Sequence, residues 1–140
     1  MKNKFLFFFF STFHFLNLGI QHRQQIENDL RQQLRFQLED GTKKPYDYMI
    51  GVFKVTLGKA KGLSEVHGIR TADLFNNLDA DESGGLSKQE LTRYLKVRKI
   101  DLNSEQIDDI INTFKMKKMV NEDGDIMCEG FISCLQGRLS

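Results

Sequence analysis

The sequence predicts an all-α protein, built as one compact domain or as a small domain with an appended segment. Three observations carry this. Ile26, Leu30, Leu34 and Leu38 recur every fourth residue between Gln, Arg and Glu. Ile107, Ile110, Ile111 and Phe114 make a second stripe at helical spacing. Helix start and stop signals bracket these stripes: Asp40-Gly41 ends the first, and Asn103 with Gln106 three residues later opens the second.

Composition narrows the class. Hydrophobic residues are 40% and charged ones 28%, the balance of a globular protein. Lys+Arg is 20 against Asp+Glu 19, which gives no electrostatic case for nucleic-acid binding. Two Cys and no Trp exclude a disulfide-dense scaffold. The Phe content is lopsided, with seven of the 12 lying between Phe5 and Phe15.

Residues 1–20 read as an apolar N-terminal segment behind Lys2 and Lys4. It has three readings. A basic stretch followed by an apolar one fits a signal peptide, although Leu18-Gly19-Ile20 offers no clean small-x-small cleavage pair. A membrane anchor is the second, although the sixteen residues from Phe5 to Ile20, at ~1.5 Å each, fall short of a ~30 Å hydrocarbon core. The third is an apolar helix buried against a partner, or an extension from a misplaced start codon. Without this segment the chain holds 18 basic and 19 acidic residues, since only Lys2 and Lys4 are lost from the 20.

Residues 21–63 form an N-terminal helical region. Its first helix is the stripe ending at Asp40-Gly41, and Lys43-Lys44-Pro45 makes the turn after it. Tyr46, Ile50, Phe53 and Leu57 give a second helix, which Gly51 and Gly58 weaken by roughly 1 kcal/mol each relative to Ala. Lys59-Ala60-Lys61-Gly62 reads as a loop. The Lys54/Lys59/Lys61 cluster reads as a solvated face. A third helix starts near Ser64-Glu65 and carries Ile69, Ala72, Phe75 and Leu78.

Chemistry enters at the twelve residues Asp79–Glu90. A hard divalent cation takes six to eight oxygens at about 2.3–2.6 Å. Asp79, Asp81 and Ser83 alternate and supply three side-chain oxygens. Gly84 at position 6 permits the sharp turn. Gly85 offers its carbonyl, and Ser87 a hydroxyl or a bridging water. Glu90 at position 12 is long enough to close the shell with both oxygens. Leu86 at position 8 is apolar, and the outgoing stretch carries Leu91, Tyr94 and Leu95.

On these residues the stretch from about Ala72 to Val97 resembles the EF-hand calcium-binding family. The resemblance implies an EF-hand pair, helix-loop-helix twice with a short strand pairing between the loops, over residues 64–137, with additional N-terminal helices. It implies Ca²⁺ held by Asp79, Asp81, Ser83, Gly85, Ser87 and Glu90. A second hand should follow. Asn121-Glu122-Asp123-Gly124-Asp125-Ile126 resembles the middle of its loop, and Phe131, Ile132 and Leu135 the inner face of its exit helix. With Gly124 at position 6, position 1 is Met119 and position 12 is Gly130, so neither end has a carboxylate. Glu129 is one residue early. The loop is lengthened within Lys115–Met119 and basic where it should be acidic, so the region 115–130 reads as a degenerate, structural hand.

Cys128 and Cys134 sit six apart, on different faces of a helix, which disfavours a bridge between them. No zinc spacing, nucleophile motif or phosphate-cradling loop is present. The expected function is therefore calcium binding without catalysis, as a sensor or regulatory subunit through one site. Met116, Met119 and Met127 would line a groove in a sensor, although core or loop positions suit them better. The alternative is a structural subunit of a larger assembly, whose hand pair is a docking platform that calcium only stabilises. A regulatory fragment of a calcium-dependent enzyme has no catalytic motif to support it. Either main reading expects a protein partner, no nucleic acid, and membrane contact only through residues 1–20. A cytoplasmic or cytoskeletal setting is expected, and a secretory or membrane one if that segment is a true signal or anchor.

Overall fold

The computed structural model describes residues 12–59, 71–76, 78 and 83–139, with residues 12–20, Thr71 and Ala72 as backbone only. Among these residues the chain is mostly helical with one two-stranded antiparallel sheet. The order is α1 (Thr12–Glu39), α2 (Pro45–Thr56), α3 (Thr71–Leu74), β1 (Gly85–Leu86), α4 (Lys88–Val97), α5 (Ser104–Met116), β2 (Ile126–Met127) and α6 (Cys128–Leu139). The Lys59–Gly62 loop beyond Lys59, the helix start near Ser64 and Ile69 lie outside the described residues.

Helix α1 runs without interruption across Ile20, so the described part of the apolar N-terminal segment is continuous with the next helix. Among the described residues no helix is long and apolar enough to cross a membrane. The stop expected at Asp40-Gly41 is where α1 ends, and Gly41 takes φ +84°. The short Asp40–Lys44 connection folds α2 back along α1. Leu34 meets α2 at Gly51, where an added Cβ would stand 2.8 Å from Leu34 Cδ2. Further along, Arg31 Nη2 donates to Thr56 Oγ1 at 3.0 Å.

The two glycines read as helix-weakening in α2 thus have separate uses. Gly51 lets α1 approach, and Gly58 (φ +72°) gives the left-handed stop after α2. Pro45 opens the helix, where its missing N–H costs nothing.

Helix α2 is apolar on nearly every side, and Met49, Val52 and Phe53 are almost wholly shut off from solvent. A helix of this kind has to be surrounded. One side meets α1, and the other meets α5 and α6. The aromatic centre of the core is Phe131 of α6. Its ring lies 5.5 Å from Phe114, 6.0 Å from Tyr94 and 6.4 Å from Phe75, centroid to centroid. From α2, Tyr46 meets Phe114 edge-on at 5.6 Å, and Phe53 reaches Tyr94 at 6.5 Å.

The start signal read at Asn103 forms a reciprocal cap. Asn103 Oδ1 accepts from the Gln106 N–H at 2.8 Å, and Gln106 Oε1 accepts from the Asn103 N–H at 2.9 Å. Helices α4 and α5 are both followed by a lysine in left-handed conformation, Lys99 (φ 62°) and Lys118 (φ 59°), where a glycine is the usual occupant.

Candidate metal centre

Strands β1 and β2 bring the two loops together. Leu86 pairs with Ile126 and Gly85 with Met127, antiparallel, so the two apolar position-8 residues stand opposite each other, each almost fully buried. The Cys128 N–H donates to the Gly84 carbonyl at 3.0 Å and extends the junction. Gly84 and Gly124 share one conformation, φ +81° and +83°, which a Cβ would penalise at either tip.

In the first loop the described half contains Ser83, Gly85, Ser87 and Glu90; Asp79 and Asp81 lie outside the described residues. The Ser83 hydroxyl donates to the Gly85 carbonyl at 3.0 Å and accepts from the Gly85 N–H at 3.3 Å, which sets the oxygens expected at positions 5 and 7 side by side. Ser87 and Glu90 form a second pair. Ser87 Oγ accepts from the Glu90 N–H at 3.2 Å, and Glu90 Oε1 accepts from the Ser87 N–H at 3.0 Å. This reciprocal cap starts α4. It also fixes the Glu90 carboxylate at the loop end of the helix rather than along its outer face.

Gly85 has a second use that spacing did not reveal. An added Cβ would stand 2.9 Å from Asn121 Nδ2 and 3.2 Å from Asp125 Cβ, so its bareness lets the second loop lie against the first.

The second loop is satisfied within itself. Asn121 Oδ1 accepts from the Asp123 and Asp125 N–H groups, each at 3.0 Å. The Asn121 N–H donates to the Asp125 carbonyl at 2.9 Å, and Val120 bridges to Ile126. The extra residues expected after Phe114 appear as the end of α5 and a turn through Lys117–Lys118. At the two ends where a cation site needs oxygens, Met119 and Gly130 meet each other. The Met119 Sδ lies 3.2 Å from where a Gly130 Cβ would be, and Cys134 Sγ lies 3.2 Å from the same sulfur. Cys128 and Cys134 are not bridged to each other, and both are half-buried. Met116 is exposed, and Met127 lies at the sheet surface.

Among the described residues no three His, Cys, Asp or Glu side chains converge on one point, and Asp79 and Asp81 are not in that set. The described half contributes a hydroxyl, a carbonyl and a carboxylate, which are donor types that a hard cation takes.

One cluster was not foreseen from the sequence. Tyr94 stacks under the Arg98 guanidinium at 3.6 Å, and both side chains bond the Leu74 carbonyl. Burial pushes the Tyr94 phenol up to about 12, with the Arg98 charge pulling the other way. From sequence, Arg98 reads as one more basic residue near a helix end, and nothing in its spacing points back 24 residues.

No protein-family model, curated protein or solved structure matches the chain.

Proposed function

We propose that the chain is a calcium-binding protein of the EF-hand type, with one working loop at Asp79–Glu90. The observation that carries this reading is the twelve-residue ligand spacing together with the folding of its second half. Gly84 turns, Leu86 pairs with Ile126, and Glu90 sits in the first turn of the outgoing helix. Asp79, Asp81, Ser83, Glu90 and the Gly85 carbonyl would hold the ion, with Ser87 contributing through its hydroxyl or a water. Three carboxylates suggest an affinity on the order of 10⁻⁷–10⁻⁵ M. The second loop supports the pair without an ion of its own, because Met119 and Gly130 fill the positions where its carboxylates would be. The role is binding rather than catalysis, exercised on a protein partner.

A specific observation favours the structural variant of this reading. Helix α2 already lies against α5 and α6, with Tyr46 on Phe114 and Phe53 on Tyr94. A sensor that offers this apolar surface to a partner would first have to release α2. A constitutive subunit, stabilised by calcium and presenting its outer faces, needs no such step.

Calcium titration of Glu90→Gln and Glu129→Gln tests the reading, with circular dichroism as the folding control. Glu90→Gln should lose most of the affinity and keep its metal-free helicity. Glu129→Gln should change little. Equal losses in the two variants would overturn the assignment of the first loop as the working one.

A further inference from the structure

The segment that leads into the proposed loop and the helix that leaves it are tied together by Tyr94 of α4 and by Arg98, which caps the C-terminus of that helix. The Leu74 carbonyl accepts from Arg98 Nη2 at 2.8 Å, from Arg98 Nε at 3.2 Å and from the Tyr94 hydroxyl. Arg98 Nη2 also reaches the Asn76 carbonyl at 3.4 Å, and Nη1 donates to the Tyr94 carbonyl at 3.2 Å. The guanidinium is thereby clasped across the end of α3 while stacked on the Tyr94 ring. Glu90, Tyr94 and Arg98 line one cavity of about 280 Å³ together with Asn76 and Leu78. The clasp and the last ligand of the proposed loop therefore share a wall.

We infer that Arg98 and Tyr94 form a latch that sets the affinity of this calcium site by holding its two flanks together before the ion arrives. The inference rests on the calcium reading above. The proposed ligands divide between the flanks: Asp79, Asp81 and Ser83 follow Asn76, whereas Glu90 belongs to α4. An ion that gathers oxygens from both sides must freeze their relative motion, and that ordering opposes binding. Bonds from Arg98 and Tyr94 to Leu74 and Asn76 remove part of the motion in advance. Arg98 carries no acceptor and cannot itself ligate a cation, so it acts as a positioning residue. A lysine would not replace it, because an ammonium offers neither the planar fork that grips one carbonyl through two N–H groups nor the same stack on a ring.

The test is calcium titration of the full chain as wild type, Arg98→Met, Arg98→Lys and Tyr94→Phe. Arg93→Met, on the same cavity and outside the clasp, is the control. Melting and amide hydrogen exchange at Leu74–Asn76, both in chelator, are read in parallel. Arg98→Met and Arg98→Lys should each raise the Kd about tenfold, and Tyr94→Phe, which removes one donor, about threefold. Exchange at Leu74–Asn76 should quicken without metal in all three, and Arg93→Met should leave both readouts alone. An Arg98→Met protein that melts lower but keeps the wild-type Kd would overturn the latch and leave Arg98 a structural residue. Tighter binding would overturn it too. A wild-type chain that binds no calcium, with exchange still responding to Arg98→Met, would refute the calcium reading and the latch's role in it, and would be recognised by the wild-type titration alone.

Discussion

Tyr94 carries more than one load. Its ring lies edge-on to Phe131, its face supports Arg98, and its hydroxyl donates to the Leu74 carbonyl. Burial leaves the phenolate poorly solvated, so the phenol holds its proton up to about 12 against an ordinary value of 10. The folded-state value is the higher one. The phenol's contribution to stability is therefore complete below pH 10 and is lost as the pH climbs toward 12. Alkaline titration followed by tyrosinate absorbance should show a component near 12 that Tyr94→Phe removes, while Tyr46, also raised by burial, still ionises above its ordinary value. The loss of stability of the wild type between pH 10 and 12 should be shallower in that variant. A variant with an unchanged late component would place the buried phenol elsewhere.

At the scale of elements, α2 is the one whose position matters most. Its sequence is apolar beyond what one buried face requires, and the structure encloses it between α1 and the α5–α6 pair. Phe53, fully buried, links it to Tyr94 and so to α4. Phe53→Ala should cost about 3–5 kcal/mol, since the ring leaves a cavity that helices on both sides close only in part. Denaturant unfolding should still show one transition, with a lowered midpoint and an unchanged slope. Two separate transitions would mean that α1 and α2 form a unit independent of the sheet and its helices. The left-handed lysines at 99 and 118 belong to this scale as well: each closes a helix in a conformation that costs about 1–2 kcal/mol for a residue with a Cβ.

At the scale of the molecule, the sheet and the helices that leave it repeat at an interval of 40 residues, with α1 and α2 outside the repeat. Leu86 and Ile126 pair, and Gly84 and Gly124 turn alike. Leu91 and Phe131, and Leu95 and Leu135, occupy matching buried places. The repeat is broken where a cation site would need oxygens, with Glu90 matched by Gly130. On the proposed reading a single calcium ion should bind the full chain. At free calcium about 100-fold above the Kd it should add ~2.7 kcal/mol to stability, seen as a rise of several degrees in the melting temperature. Calorimetry that counts two comparable ions would show that Met119 and Gly130 do not mark an idle loop.

Much of this was legible along the chain. The stop at Asp40-Gly41, the cap at Asn103 and Gln106, the glycine turns and the register of Leu86 against Ile126 are local or periodic features. The stop, the cap and the turns follow from backbone chemistry within a few residues, and spacing records them, whereas the Leu86–Ile126 pairing was implied by the resemblance to paired hands. The alternation of Asp79, Asp81 and Ser83 ahead of Gly84 is likewise written in the sequence, and its reading as a ligand set belongs to the proposed function. What tertiary structure alone decided are meetings between distant residues. Gly51 looked like a weak point in a helix until Leu34 was found against it. Met119 and Gly130 were two missing ligands until they proved to fill each other's space. Arg98 was an ordinary basic residue until it reached Leu74. The physical reason is common to all three: periodicity says which face of a helix is buried, but which surface it meets depends on how separate helices share one core.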